Sequence, residues 1–283
     1  MNLAEDFAQT PSSLTEHILF KDGCHLHYWV GGPTDRPLVV FIHGGTMDHR
    51  MFNAQVEALV PHYQVLVLDV RGHGKSKPIG AGFSLEICAQ DMLAILDGLR
   101  IQKAILCGQS MGGYIAQHFY MIAPQRVTAM IMIGSTPITK AYSRLEVWTL
   151  KATMPLFRIW PYGHFVEMVA KNTADLPQVR EYALDAVQQI ERDDFLTIWK
   201  AVTLAIDTKG YPNHTFDVPL LLIHGDNDRA GTIRRDMPWW AKREKGSTYY
   251  VVPDAGHNAN QDNPEFTNEV ILEFLQQNVE TNF

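Results

Sequence analysis

Continuous apolar runs, separated by segments with a helical pattern, constrain the fold of this chain more than any other feature of its sequence. Five such runs recur, at residues 38–42, 65–68, 104–107, 130–133 and 220–223. A strand that is covered on both faces, as in a parallel sheet, is apolar throughout instead of alternating between apolar and polar residues. We therefore expect these runs to be strands of one mostly parallel sheet.

Helical patterns occupy the chain between these runs. They predict helices over residues 50–60, 85–98 and 111–123. Ser84 is suited to cap the second, and Asn263 with Pro264 predicts the start of a further helix near the C-terminus. Residues 25–30 predict an antiparallel edge strand. This order of elements predicts an α/β fold, a doubly wound and mostly parallel sheet with right-handed crossovers.

The alternation stops after Gly134. Residues 136–215 have no strand pattern and are divided by prolines into helical segments. One segment has an apolar helical stripe formed by Phe195, Ile198, Trp199, Val202 and Ile206. The sequence thus predicts two parts, a core of residues 1–135 and 216–283 and a helical cap of residues 136–215. Because ligands of such sheets bind beyond the carboxyl ends of the strands, we expect the cap to be a lid over a binding site.

The predicted cap is rich in large aromatic side chains. They include Trp148, Phe157, Trp160, Tyr162, Phe165 and Trp199. Aromatic residues on a helical insert mainly pack it onto the rest of the protein. We expect most of them to have that role and two or three to line the pocket of the predicted binding site.

A serine in a glycine-rich turn marks the candidate site. Residues 106–114 read Leu-Cys-Gly-Gln-Ser-Met-Gly-Gly-Tyr and join an apolar run to a helical pattern. A strand, a sharp turn and a helix are what a nucleophile elbow requires, and Gly108 and Gly112 allow the strand and helix backbones to approach closely. Ser110 is therefore the predicted nucleophile.

A serine hydroxyl needs a base, and the base needs an orienting acid. His257 follows a later apolar run and is the candidate base, while Asp226 and Asp228 follow the run that ends near residue 225. No acid stands at residues 134–139, so the acid must come from the later strand. The pattern of residues leaves the choice between the two aspartates open.

Acyl transfer also needs donors for the oxyanion of the tetrahedral intermediate. The backbone N–H of Met111, directly after the serine, is one candidate. Gly45, in the loop after the first buried run, is the natural second donor, because a residue without Cβ lets a carbonyl group approach its backbone. The hydroxyl of the neighbouring Thr46 is a further, less favoured donor.

Charge and composition exclude several classes of function. The chain has 24 Lys and Arg against 31 Asp and Glu, a net charge of −7, and no basic run, which argues against nucleic-acid binding. It has no apolar stretch long enough for a transmembrane helix, and its first residues lack a signal-peptide pattern. We expect a cytoplasmic protein that binds neither nucleic acid nor membrane.

The cysteines and histidines predict no metal centre. Cys24, Cys88 and Cys107 share no metal-ligand spacing and are expected to be reduced thiols, and the histidines are scattered along the chain. We expect no metal and no cofactor. Residues 136–215 carry nine basic and nine acidic residues, so the whole negative charge lies on the core. This distribution favours an uncharged or mainly apolar substrate, unless one arginine of the cap is enough to hold an anion.

Five short sequence blocks are spread over nearly the whole chain, at residues 43–45, 69–76, 108–113, 225–228 and 256–257. Together they resemble the α/β-hydrolase superfamily, in particular its capped serine hydrolases of the esterase and enol-lactonase type. The resemblance implies Ser110 as nucleophile, His257 as base and Asp228, instead of Asp226, as the acid. It also implies Gly45 and Met111 as the oxyanion donors.

The resemblance implies a serine hydrolase that cleaves a small carboxylic ester through an acyl-enzyme. An alternative is an enol-lactonase-like hydrolase of a cyclic ester. A different class is a ligand-binding receptor of the same fold with little turnover. Dehalogenases and epoxide hydrolases of this fold are disfavoured, because they carry an aspartate where this chain has Ser110. C–C hydrolases are disfavoured because they typically have a longer run of glycine and proline after the first His-Gly, which residues 43–48 do not match. The expected partner is a small ester or lactone, and the expected state is a monomer or homodimer.

Overall fold

One eight-stranded sheet organises the fold. The computed structural model describes residues 9–205, 211 and 214–279, without the side chains of 153, 154 and 156–159. The strands are β1 (Leu14–Lys21), β2 (Cys24–Gly31), β3 (Leu38–Ile42), β4 (Gln64–Leu68), β5 (Ala104–Gln109), β6 (Val127–Ile133), β7 (Leu220–Gly225) and β8 (Thr248–Val252). Their order across the sheet is β1-β2-β4-β3-β5-β6-β7-β8. β2 pairs antiparallel with β1 and β4, and the pairs from β4 to β8 are parallel, which confirms the predicted mostly parallel sheet.

Helices cover both faces of the sheet. They are α1 (Asn53–Leu59), α2 (Leu85–Gly98), α3 (Met111–Ile122), α4 (Arg144–Ile159), α5 (Tyr162–Thr173), α6 (Pro177–Gln188), α7 (Arg192–Ala205), α8 (Ile233–Arg243), α9 (Ala259–Asp262) and α10 (Pro264–Asn278). Two 3₁₀ turns, His49–Phe52 and Pro124–Arg126, complete the set of described helical elements. The side chain of Ser84 accepts a hydrogen bond from the N–H of Ile87 and that of Asn263 from the N–H of Phe266, which confirms both predicted N-caps.

The core lies in two layers, one on each face of the sheet. Every residue of β3, β4, β5 and β7 is buried. Val40 and Leu106 belong to the apolar cluster on one face, and Val39 and Ile105 to the cluster on the other. Because successive side chains of a strand point to opposite faces, a strand covered on both sides is apolar along most of its length. This explains the continuous apolar runs of the sequence.

The predicted edge strand is not at the edge. β2 contains residues 25–30, but it pairs with β1 over its whole length and with β4 on its other side. The edge position belongs to β1, which the sequence pattern did not indicate. The side chains of Ile18 and Phe20 on β1 are 57% and 65% exposed, so this strand has no buried apolar face from which to recognise it.

Four helices, α4 to α7, connect β6 to β7, and no strand occurs among the described residues between these two strands. On α7, Phe195 and Ile198 are buried as the predicted stripe requires, whereas Ile206 lies outside the described residues together with 207–210, 212 and 213. Phe195 stacks on Trp199 at 5.8 Å between ring centroids. Across the described part of the chain, none of the helices combines the length and the apolar character that a bilayer crossing needs.

Candidate active site

Ser110 lies on a sharp turn between β5 and α3. Its φ of 49° is in the left-handed region, which is uncommon for a residue other than glycine and indicates a strained turn. Its backbone N–H donates to the carbonyl oxygen of Ile133 at 2.8 Å, which ties the turn to the end of β6. A Cβ on Gly108 would collide with the backbone of Gly112, and one on Gly112 would collide with the carbonyl group of Ile42. The two glycines therefore permit the close strand–helix contact that holds Ser110 at the carboxyl edge of the sheet.

His257 and Asp228 meet at the same edge, after the neighbouring strands β8 and β7. Nδ1 of His257 lies 2.9 Å from Oδ2 of Asp228, and the side chain of Asp228 is completely buried. Oδ1 of Asp228 accepts a hydrogen bond from the N–H of Ala230 at 2.8 Å. The carboxylate of Asp226 instead accepts from the N–H of Ala255 at 3.1 Å. The geometry thus pairs His257 with Asp228, and it gives Asp226 a place in the turn after β7.

The surroundings of His257 favour its charged form. Burial by itself lowers the pKa of the imidazole, but the negative charge and the hydrogen bond of Asp228 outweigh burial, and the pKa is raised above its ordinary value of 6.5. A base that takes up a proton during a reaction becomes an imidazolium ion. Asp228 is placed to stabilise that ion and to hold Nδ1 as the protonated nitrogen.

Gly45 and Met111 face each other beside Ser110. A Cβ placed on Gly45 would lie 3.8 Å from the Cβ and the Sδ of Met111. Met111 is the first residue of α3, so its N–H has no partner within the helix. Thr46 follows Gly45 with a φ of 71°, and all four residues line the same cavity.

Gln109 joins the loops of the site, and sequence reasoning missed it. Its Nε2 donates to the carbonyl oxygen of His257 at 3.0 Å and to Oδ1 of Asn258 at 3.4 Å. The opposite side of its amide contacts Gly44, because a Cβ there would collide with Oε1 of Gln109. Gln109 therefore contacts the loop of the base and the loop of Gly45 from the position next to Ser110. The sequence did contain a signal for Gln109, since it is a polar residue at the end of an otherwise apolar run.

A cavity of about 630 Å³ opens above Ser110. Ser110, His257, Gly45 and Met111 lie at its base, and helices α4, α5 and α7 supply apolar walls through Leu150, Phe165, Met168, Val169, Trp199 and Val202. Two of the predicted cap aromatics, Phe165 and Trp199, thus line the cavity. Trp148 and Trp160 are exposed, Tyr162 donates its hydroxyl to the carbonyl oxygen of Ile190, and the side chain of Phe157 lies outside the described part.

One buried trio of potential metal ligands, Asp48, His49 and Asp69, occurs among the described residues. Each of the three has a protein partner. His49 contacts Oδ1 of Asp69 through Nδ1 at 2.8 Å and the hydroxyl of Thr10 through Nε2 at 2.7 Å, and Asp48 pairs with Arg50 at 2.6 Å. The trio therefore reads as a structural hydrogen-bonded cluster.

Comparisons with known proteins relate the chain to α/β hydrolases. The family model described as alpha/beta hydrolase fold matches residues 37–158. The chain is 28% identical over 276 residues to 3-oxoadipate enol-lactonase 1 of Acinetobacter baylyi, covering 92% of this chain and 96% of the relative. It is 26% identical over 250 residues to a 2-hydroxy-6-oxononadienedioate/2-hydroxy-6-oxononatrienedioate hydrolase of Klebsiella pneumoniae, covering 84% and 86%.

Solved structures show the same fold. The enol-lactonase from Burkholderia xenovorans matches with a TM-score of 0.79 at 23% identity, over 92% of this chain and 100% of that one. A thermophilic esterase from Thermogutta terrifontis matches with a TM-score of 0.75 at 23% identity, over 94% and 99%. With its mostly parallel eight-stranded sheet and the serine turn after β5, the chain has the α/β-hydrolase fold, and its sequence is similar to proteins of that superfamily.

Proposed function

We propose that this protein is a serine hydrolase that cleaves a small carboxylic ester through an acyl-enzyme on Ser110. The coarser statement, a hydrolase acting on ester bonds, rests on the α/β-hydrolase fold and on the likeness to an enol-lactonase. The observation that supports the finer proposal is that Ser110 lines the same cavity as His257, whose Nδ1 pairs with Asp228.

The proposed mechanism assigns a step to each group. Oγ of Ser110 attacks the ester carbonyl carbon while Nε2 of His257 takes the hydroxyl proton. The N–H groups of Gly45 and Met111 hold the oxyanion, and Asp228 holds the imidazolium through Nδ1. The proton then passes from His257 to the leaving alcohol. A water molecule, deprotonated by the same imidazole, attacks the acyl-enzyme and releases the acid.

Residues 136–215 serve in this proposal as a lid. Its support is that α4, α5 and α7 supply side chains to the cavity wall that faces Ser110. Apolar walls exclude water around the acyl group, which strengthens the electrostatic contribution of the oxyanion donors. The substrate is a small molecule, and the monomeric or homodimeric state and the cytoplasmic location remain predictions.

A cyclic ester is the second candidate substrate. It is favoured by the likeness to an enol-lactonase in both sequence and structure, with a TM-score of 0.79 for the latter. The same residues would open a lactone, and the leaving oxygen would then stay on the acyl group. An ester panel that varies acyl length and includes one lactone separates the two substrates by their kcat/KM values.

The test of the proposal is an acyl-enzyme burst on a p-nitrophenyl ester together with labelling by a fluorophosphonate. We expect both with the wild-type protein and neither with Ser110→Ala. Ser135→Ala is the control, because Ser135 is a buried serine outside the cavity lining, and its loss should leave the labelling in place. A protein that binds ligands but gives no burst and no label would be a receptor of this fold and not a hydrolase.

A further inference from the structure

Few charged side chains line the cavity. Besides His257, three ionisable acids and bases with full charges line it among the described residues, namely Glu146, Arg229 and Arg235. The other lining side chains that the structure describes are apolar or neutral and polar. A substrate in the cavity therefore meets very few charged side chains, and those without a partner are the ones available to bind it.

Arg235 is neutralised by the protein. Its guanidinium lies 2.8 Å from Glu146 and 2.7 Å from Asp236, and Asp236 also pairs with Lys140 at 2.6 Å. These two acids and two bases form one neutral network on the wall of the cavity. Arg235 is held by the network and is poorly placed to leave it for a ligand.

Arg229 has no such neighbour. Within the part of the chain that the structure describes, no acid forms an ion pair with it and no hydrogen bond engages its guanidinium. Asp228 precedes it directly, but both carboxylate oxygens of Asp228 are occupied, by His257 and by the N–H of Ala230. Arg229 therefore presents to the cavity a guanidinium that no ion pair or hydrogen bond from the described residues occupies.

The position of Arg229 is set by the same turn that presents the acid of the site. The hydrogen bond from the N–H of Ala230 to Asp228 closes this turn around Arg229. Arg229 and Ser110 line the same cavity, so a group bound by Arg229 would share that cavity with a carbonyl group beside Ser110. An arginine fork binds a carboxylate through two parallel hydrogen bonds, so it also orients the bound group.

We propose that the substrate carries a free carboxylate in addition to the ester or lactone that is cleaved, and that Arg229 binds this carboxylate. The inference rests on the proposed function and narrows it to a substrate that carries a free carboxylate. It also revises the expectation of an uncharged substrate drawn from the neutral cap, because the deciding arginine lies in the core, directly after Asp228.

Two esters with the same number of methylene groups test this inference. Mono-p-nitrophenyl adipate ends in a carboxylate, whereas p-nitrophenyl hexanoate ends in a methyl group. The quantity measured is the ratio of their kcat/KM values, adipate over hexanoate, for the wild type and for Arg229→Gln. We expect the variant to lower this ratio about tenfold, the lower end of what a hydrogen bond between charged groups contributes. We also expect added salt to lower the wild-type ratio, because the arginine is exposed.

Arg234→Gln is the matched control. Arg234 is an exposed arginine of α8 that does not line the cavity, so its removal changes the net charge equally. We expect its ratio to equal that of the wild type, and Arg229→Lys to recover part of the loss. Thermal unfolding followed by circular dichroism checks that each variant is folded.

The outcomes separate this inference from the proposed function. If Ser110 is labelled and both esters are cleaved, but Arg229→Gln keeps the wild-type ratio, the carboxylate site is wrong and the hydrolase stands. The carboxylate site is equally wrong if Arg234→Gln lowers the ratio as much as Arg229→Gln does. If neither ester is cleaved and Ser110 is not labelled, the hydrolase proposal fails and the inference falls with it.

Discussion

Asp228 and Asp226 stand two positions apart after the same strand, yet their carboxylates do different work. Asp228 pairs with His257 at 2.9 Å, and Asp226 accepts the N–H of Ala255 at 3.1 Å. A serine triad needs the first role, because the acid fixes the tautomer of the base and stabilises its charged form. The difference predicts distinct effects on activity.

We expect Asp228→Asn to lower kcat by about 10⁴-fold, since the asparagine stabilises the wrong tautomer. Its residual activity should also have a shifted pH profile. The neutral imidazole is the active form, so kcat/KM rises as the pH passes upward through the pKa of His257. In the wild type, Asp228 raises that pKa, and the midpoint should lie above 6.5. Without the charge, burial of the ring prevails, and the midpoint should move below that value.

Asp226→Asn is the control for this experiment, measured on the same p-nitrophenyl ester. It should retain most of the activity and a wild-type midpoint, because its carboxylate serves the turn. A reversed order of the two variants, or a wild-type profile that is flat between about pH 5 and 8, would remove His257 and Asp228 from the proposed roles.

Gln109 is a positioning residue, because its amide contacts both the loop of His257 and the loop of Gly45. Gln109→Leu removes both donations from its amide, to the His257 carbonyl oxygen and to Asn258. Displacement of a catalytic group by about 1 Å can cost roughly 100-fold in rate. We expect kcat to fall 10- to 100-fold, about what that displacement allows, with little change in KM. Steady-state kinetics should show this split, and Gln109→Glu, which keeps the shape but loses the donors, should not recover the rate. An unchanged kcat in Gln109→Leu would mean that the loops hold their places without it.

At the scale of elements, the contact between β5 and α3 decides whether Ser110 can be presented at all. Gly108 and Gly112 are the residues on which this contact depends, because their missing Cβ atoms leave room for backbone. In the sequence they were recognisable from their spacing around Ser110. The structure adds that Gly112 contacts the end of β3 and so connects the serine turn to the strand that precedes the loop of Gly45.

We expect Gly112→Ala to destabilise the fold by about 3 kcal/mol, the upper part of the usual range for overpacking, because the new Cβ meets backbone that cannot rotate away. Gly98→Ala is the matched control, since Gly98 lies in α2 with open space around its Cα. Alanine there should be neutral or stabilise by about 0.5 kcal/mol through its better helix propensity. Urea unfolding of both variants measures the difference, and equal stabilities would contradict the close contact.

The predicted and observed elements agree wherever burial imposed a period on the sequence. The runs at 38–42, 65–68, 104–107, 130–133 and 220–223 all became parallel strands, and the N-caps at Ser84 and Asn263 formed as expected. β1 was missed because its residues are largely exposed and carry no such period. The prediction that β2 is an edge strand was wrong for the same reason, because β1, which occupies the edge, was not recognised.

At the scale of the whole molecule, the net charge of −7 and the neutral cap region give a misleading impression of the site. What matters to a substrate is which charged side chains at the cavity have partners: Glu146 and Asp236 pair with Arg235 and Lys140, whereas Arg229 has no ion-pair partner among the described residues. These pairings join the start of α8 to the segment after β6, and Arg229 lies between the end of β7 and α8. The segment after β6 is far in sequence from the other two.

Local patterns in the sequence established the sheet, the serine turn and the order of the candidate groups, because burial on two faces and close backbone contact leave periodic and glycine-specific traces along a chain. Folding was needed to pair Asp228 and not Asp226 with His257, to bring Gln109 between the two loops and to leave Arg229 without an ion-pair partner among the described residues. These outcomes are distances between side chains at the ends of different strands. Such distances follow from how the strands are ordered and how their turns close, which no short stretch of sequence records.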